Sequence, residues 1–278
     1  IFQKIFETNL VGIDMQHAIR VSSFFGNELI LGSFTIKLLP IALAFLFFVK
    51  QNKTINFSIL LIFLSSVIVL LSAEKTALIM TMLLFVLFIL KIKLIAIYRL
   101  FLFITFASLI SLILFSSQSL NKRLIQEFAK NYSDGKYIYS RPHDSHYKTA
   151  YKMFKDKPLL GHGPKMFRVK CSDQKYVIDQ FSCSTHPHNY LLQILSETGL
   201  IGFLFWSIFY LSVLLLFIKL LIFEKSSKGH SFPLYIMCSS ILIIFLPIAP
   251  SGNIFNNWLS CLNFFSIGVM MFFLKKIN

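Results

Sequence analysis

Charge is scarce in this 278-residue chain, and acid scarcest: 12 Asp and Glu stand against 27 Lys and Arg. Only 14% of the residues are charged, whereas a water-soluble domain carries about a quarter. That shortage excludes an ordinary soluble globular body. Serine-hydrolase chemistry lacks its mark too, because no Gly-x-Ser-x-Gly turn lies near any apolar run. His143, Asp144 and His146 are the one candidate metal set, and without a second cluster of carboxylates or thiols they do not make a convincing site, so no metal and no cofactor is expected. No nucleic-acid-binding motif accompanies the net charge of +15, which leaves nucleic acid out and points to anionic membrane lipids or a phosphorylated substrate. Of the four Cys, Cys238 and Cys261 fall inside apolar runs. Cys171 and Cys183 fall in a polar loop, where a disulfide and two free thiols are both open.

What the chain has in plenty is apolar mass: 56% hydrophobic residues, with 32 Phe. The apolar residues are bunched in nearly uncharged runs long enough to cross a bilayer as helices. Seven spans are read, at about 29–49, 55–72, 76–93, 98–116, 199–221, 232–249 and 255–274. The fold class is therefore an all-α polytopic membrane protein with one long loop carrying short helices. Its parts are a leading segment 1–28, four spans over 29–116, the loop 117–198, and three spans over 199–278. The chain opens on Ile1 with no signal-peptide pattern, so further sequence is expected upstream.

Lys50 and Lys53, Lys91, Lys93 and Arg99, Lys219, Lys225 and Lys228, and Lys275 and Lys276 occupy alternate connections. By the excess of basic residues on cytoplasmic loops, those connections face the cytoplasm. The leading segment, the Ala73-Glu74-Lys75 turn, the Pro250-Ser251-Gly252 turn and the long loop then face the opposite side. That loop is itself basic, with 13 Lys and Arg against 6 Asp and Glu between residues 117 and 187. Within it, Asp144-Ser145 caps an expected helix ending at Lys157 before Pro158. Tyr147, Ala150, Tyr151 and Phe154 share one face of that helix, and Lys148, Lys152 and Lys155 another. Such a helix lies on the membrane surface or packs on the rest of the loop. Pro158 to Pro164 reads as a turn-rich link.

The polar loop turns into the fifth span through His186-Pro187-His188-Asn189. Pro187 suits the first turn of a helix, which places His188 among unpaired N–H groups, with basic neighbours disfavouring imidazolium. A neutral imidazole there can accept a proton. By composition alone, a lone interfacial His is more often a hydrogen-bonded anchor. Glu197, one turn after Gln193, needs a hydrogen bond to another loop or span. Gly199 and Gly202 permit close approach of a neighbouring helix.

His188-Asn189, nine residues, Gly199, two residues, Gly202, preceded by His186-Pro187, resembles the signature of the O-antigen ligase and polymerase superfamily of bacterial membrane glycosyltransferases. The resemblance extends to Arg141, to Tyr151–Phe154, to Pro158–Phe167 and to Arg20–Ser33. It implies a GT-C-like fold in the bacterial inner membrane, the catalytic loop on the periplasmic side, and about five further spans upstream. It also implies transfer of a glycan from a polyprenyl-diphosphate carrier to a hydroxyl of lipid A–core, without a metal. A polymerase acting on a glycan acceptor is the alternative, and a transporter of the same lipid, with Lys37 and Pro40 in its first span, a more distant one. By position, His188 is the base and Arg141 and Lys75 the diphosphate contacts, with His186, Asn189, Glu197, Gly199 and Gly202 supporting. Lysine at 75 departs from the family's arginine, keeping the charge and losing the bidentate fork.

Overall fold

The computed structural model describes residues 2–15, 17, 19–49, 54–127, 129, 139–223 and 231–277. Lys50, Lys53, Lys225 and Lys228, on which part of the expected orientation depends, lie outside the described residues. Helix is the regular structure found: α1 (Phe2–Phe6), α2 (Leu31–Val49), α3 (Ile55–Ser72), α4 (Lys75–Lys91), α5 (Ala96–Ser116) and α6 (Gln118–Asn121). A π-helical turn, Lys122–Gln126, continues α6. Then follow α7 (Arg141–Asp156), α8 (Phe167–Lys170), α9 (Tyr190–Ile222), α10 (Ser231–Ile244) and α11 (Asn257–Ile277).

Five helices, α2, α3, α5, α9 and α11, are long and apolar enough to cross a membrane, and the architecture is all-helical and polytopic. Two of the seven expected spans are shorter. Helix α4 has 17 residues and ends where Ile92 turns extended. Helix α10 has 14 and stops at Ile244 rather than 249, because Pro247 and Pro250 follow and neither can continue a helical ladder.

The chain forms two compact units: Ile1–Glu127 with Phe217–Ile244 and Ser266–Asn278, and Phe128–Leu216 with Phe245–Phe265. In the first, α10 is apolar all round and almost wholly buried, as a central helix must be. Phe232 of α10 meets Phe47 of α2 at 4.4 Å and Phe88 of α4 at 5.9 Å between ring centroids, and Phe85 stacks on Phe106 of α5 at 3.9 Å. Between apolar helices in lipid, such shape-matched contact is the main cohesive force. Ser66 and Thr81 sit in these interfaces by returning their hydroxyls to carbonyls one turn back, Ile62 and Ala77. Lys91, which counted toward the cytoplasmic charge, is buried and donates to the last carbonyls of α9, Leu220 and Leu221. Lys37 is buried on α2, with Glu74 the opposing charge.

The second unit is built on a small core of Ala150, Met153, Phe167, Cys171 and Tyr176. Helix α7 begins at Arg141, three residues before the expected start, because Ser140 is still extended and Pro142 fits the first turn. Its buried face is Ser145, His146, Thr149, Ala150 and Met153, while Tyr151 is 49% exposed. The helix therefore packs on the rest of the loop, through a face that includes Ala150 of the expected Tyr147–Ala150–Tyr151–Phe154 stripe but leaves Tyr151 outside. Cys171 and Cys183 are bonded, tying the segment before His186 to this core.

Helix α9 begins at Tyr190, within the expected loop, and is broken at Gly199 (φ 66°, ψ −163°). The link after α7 fills the break. Leu200 and Ile201 N–H donate to the carbonyls of Pro158 (2.8 Å) and Leu159 (3.2 Å), and His162 and Gly163 N–H donate to those of Ser196 (3.0 Å) and Glu197 (2.8 Å). A Cβ on Gly199 would fall on the Leu159 carbonyl and within 2.7 Å of Gly161 N. Gly199 thus makes room for a loop backbone, not for a neighbouring helix. At Gly202 the nearest atoms to an added Cβ are those of the Thr198 side chain of its own helix. Gly199→Ala combines a left-handed φ with this backbone overlap, and is expected to destabilise the protein by about 2 kcal/mol or more. Thermal unfolding in detergent measures it, and a wild-type melting temperature would disprove the account.

Candidate functional site

The site is assembled on one polar edge of α9. Asn189, Gln193 and Glu197, spaced four apart, are all buried, with exposures of 5%, 0% and 0%, and each holds a different piece of chain. Asn189 caps the helix by accepting from Leu192 N–H (3.0 Å) and donates from Nδ2 to the Pro247 carbonyl (2.7 Å). Gln193 Nε2 donates to Asn253 Oδ1 (2.7 Å) and Glu197 Oε2 (3.0 Å), and its Oε1 accepts from Ile254 N–H (3.0 Å). Glu197 Oε1 accepts from Phe167 N–H (2.8 Å). An amide left unpaired there costs about 1–3 kcal/mol, so the 245–256 segment and the 158–167 link are fixed on the first turns of the helix that follows His188.

His188 is not on the helix. Asn189 occupies the cap, Pro187 stands outside the first turn, and His188 adopts a left-handed φ of 57°. That conformation is uncommon and strained for a non-glycine residue. It is held by Ser251 N–H, which donates to the His188 carbonyl at 2.9 Å, while Ser184 Oγ lies 3.2 Å from Nε2. Around the ring stand three more imidazoles: His186 at 4.0 Å, His146 at 5.3 Å and His143 at 5.4 Å between centroids. His143 and His146 come from the first turns of α7, and sequence spacing did not connect them with His188. Burial pushes His188 down to about 3, helped by the repulsion of His186, His143 and His146. Burial likewise holds His186 at about 4, and lowers His146. The neutral state expected of His188 thus has a different cause: desolvation among imidazoles rather than a helix N-terminus. His146 is 6% exposed, and its Nδ1 has no hydrogen-bond partner among the described residues.

Arg141, on the first turn of α7, donates from Nε to Asp179 Oδ2 (3.2 Å) and faces the Phe181 ring at 5.3 Å. Its side chain is 51% exposed. Asp179 lies below its ordinary range, chiefly through the Ser145 hydroxyl and then Phe181 N–H and Arg141. Asp144 pairs with Lys148 at 2.7 Å, and among the described residues no group of three or more His, Cys, Asp or Glu is arranged to hold a metal ion. Lys75 belongs to the first unit, at the start of α4, with Nζ 3.5 Å from Glu127. Gln193, Asn253 and Ser184 are contributors that the sequence did not single out, while His143 and His146, considered there as a metal set, stand beside His188. Only Gln193 left a signal there: polar residues at positions 189, 193 and 197 of an otherwise apolar helix.

The folded protein holds His188 and His186 neutral, whereas an unfolded imidazole binds a proton below about pH 6.5. Their contribution to stability is therefore complete above that pH and lost as pH falls toward 4. The melting temperature of His188→Gln should fall less steeply between pH 7 and pH 5 than that of the wild type. Parallel curves would show that His188 takes up a proton in the fold as readily as in the unfolded chain.

Comparison with curated proteins and with solved structures gives no match. A family model described as O-antigen ligase matches residues 60–207. That stretch is just over half of the chain and takes in Lys75, Arg141, the four clustered imidazoles and the whole run from His186 to Gly202. A polytopic helical chain whose loop folds back to surround one strained, neutral histidine at the mouth of a membrane helix thus belongs to the O-antigen ligase family.

Proposed function

We propose that this protein transfers a glycan from a polyprenyl-diphosphate carrier to an acceptor hydroxyl of lipid A–core, with inversion and without a metal ion, on the periplasmic side of the bacterial inner membrane. The observation that carries it is the neutral imidazole of His188, ringed by His143, His146 and His186 in a loop of a chain of this family. A hydroxyl is a poor nucleophile until its proton is taken, and a base must be unprotonated beforehand. His188 accepts that proton as the hydroxyl oxygen bonds to the anomeric carbon. The bond from that carbon to the diphosphate breaks, and the carrier leaves as an anion. Since diphosphate leaves readily, the further requirement is neutralisation of its growing charge, which Arg141 and Lys75 supply as cations. The Cys171–Cys183 bond supports the periplasmic placement, because disulfides persist in oxidising compartments. The excess of Lys and Arg in the same loop suits an anionic lipid head.

Purified protein supplied with a polyprenyl-diphosphate glycan and lipid A–core is expected to form product equally with and without a chelator. His188→Ala should lower the rate about 10²–10⁴-fold at unchanged abundance, and retention of most activity would remove His188 as the base. Arg141→Lys, which loses the fork and keeps the charge, should raise the donor KM about tenfold and leave kcat nearly unchanged. Longer carrier-linked chains in place of lipid A–linked product would mark a polymerase.

A further inference from the structure

Ser184 stands between two histidines and gives its one hydrogen to neither ring. Its hydroxyl donates to the His186 carbonyl at 2.8 Å and accepts from His186 N–H at 3.3 Å. A serine hydroxyl has one hydrogen and two lone pairs. With the hydrogen spent on a carbonyl, the remaining contact of Oγ, with His188 Nε2 at 3.2 Å, has one sense: Nε2 donates. An uncharged imidazole carries one ring proton, so the lone pair of His188 is on Nδ1.

The chain is fixed on both sides of Ser184. Before it, Cys183 is bonded to Cys171 of the loop core. Ser182 Oγ accepts from Ile178 N–H (2.7 Å) and Asp179 N–H (2.9 Å) and donates to the Asp179 carbonyl (2.7 Å). The Asp179 carboxylate in turn holds Ser145 and Arg141 of α7. After it, Asn253 Nδ2 donates to the Thr185 carbonyl (3.5 Å) and Ser251 N–H to that of His188 (2.9 Å).

His186 supplies the contrast. Its Nε2 lies 3.2 Å from the Ser251 carbonyl and must donate, so its Nδ1 accepts from the Thr185 hydroxyl at 2.9 Å. The lone pair of His186 is therefore already in use. Among the described residues, that of His188 is not given to a neighbouring hydroxyl. The Ser251 backbone also favours the protonated His188 ring, so the cation left by proton uptake has support.

We propose that Ser184 is a positioning residue that holds His188 in the tautomer protonated at Nε2, and that Nδ1 is the atom that takes the proton of the acceptor hydroxyl. The second half rests on the reading of His188 as the base. In that step the O–H bond breaks and its proton bonds to Nδ1. The oxygen bonds to the anomeric carbon as the diphosphate leaves, and the imidazolium then donates from both nitrogens, with Ser184 still accepting from Nε2.

The test is NMR of the full chain, carrying isotope-labelled histidine, in phosphatidylcholine nanodiscs at neutral pH without substrate. Correlations from ring hydrogens to ring nitrogens separate a protonated nitrogen from one with a lone pair, and the signals lost in His188→Gln identify the residue. Wild-type His188 is expected to be protonated at Nε2. Protonation at Nδ1 would overturn the proposal whatever the variants do. Ser184→Ala should mix the two tautomers and lower kcat for transfer about tenfold, with donor and acceptor KM nearly unchanged. Ser184→Thr, which keeps the hydroxyl, should return the single tautomer and most of the rate. A single Nε2-protonated form that persists in Ser184→Ala removes the role of Ser184, and a full rate alongside mixed tautomers removes that of Nδ1. The spectra need no turnover, so the two readings fail separately. The expected tautomers without glycan transfer keep the hold of Ser184 on His188 and remove the transferase. Transfer by a protein whose His188 is protonated at Nδ1 keeps the transferase and removes this inference.

Discussion

Glu197 has no exposed surface, and a carboxylate in that position on a membrane helix is tolerated only because it is fully occupied. Phe167 N–H and Gln193 Nε2 donate to it, and Gln193 in turn grips Asn253 and Ile254. One turn earlier, Asn189 holds Pro247. Two loops distant in sequence are thus pinned to the same two turns of α9. That polar edge helps to hold Ser251 against the His188 carbonyl, and so supports the left-handed conformation of His188. A half-satisfied network of this kind is worse than an apolar one, so the three side chains stand or fall together.

The break at Gly199 belongs to the same construction. A helix interruption exposes carbonyls on one side and N–H groups on the other, and in an apolar setting these must find partners. The Pro158–Gly163 link supplies both, at four hydrogen bonds. The His162 ring lies 3.0 Å from the Met153 carbonyl and fastens the same link to α7. The motif-bearing end of α9 and the amphipathic α7 are therefore parts of one folded body, with the Cys171–Cys183 bond closing it.

Electrostatics divide by kind. In the second unit imidazoles are gathered and kept neutral by burial, which suits proton transfer from a hydroxyl. In the first unit guanidinium and ammonium groups gather around a turn whose own acid binds the start of α2.

The amino-acid sequence by itself determined that the chain is helical and membrane-spanning, because runs of uncharged apolar residues have no other stable home. It also marked the stretch from His186 to Gly202 as the place for chemistry, through polar residues that an apolar helix carries only at a cost. Span ends were less legible: α10 stops short at its prolines and α9 starts inside the expected loop, since local pattern does not reveal where a helix finds its cap. The left-handed turn at His188, the gathering of His143 and His146 around it, and the filling of the Gly199 break by residues forty positions upstream were decided by tertiary structure alone. Each depends on a partner far away in the chain, and hydrogen bonds of that kind leave no periodicity behind.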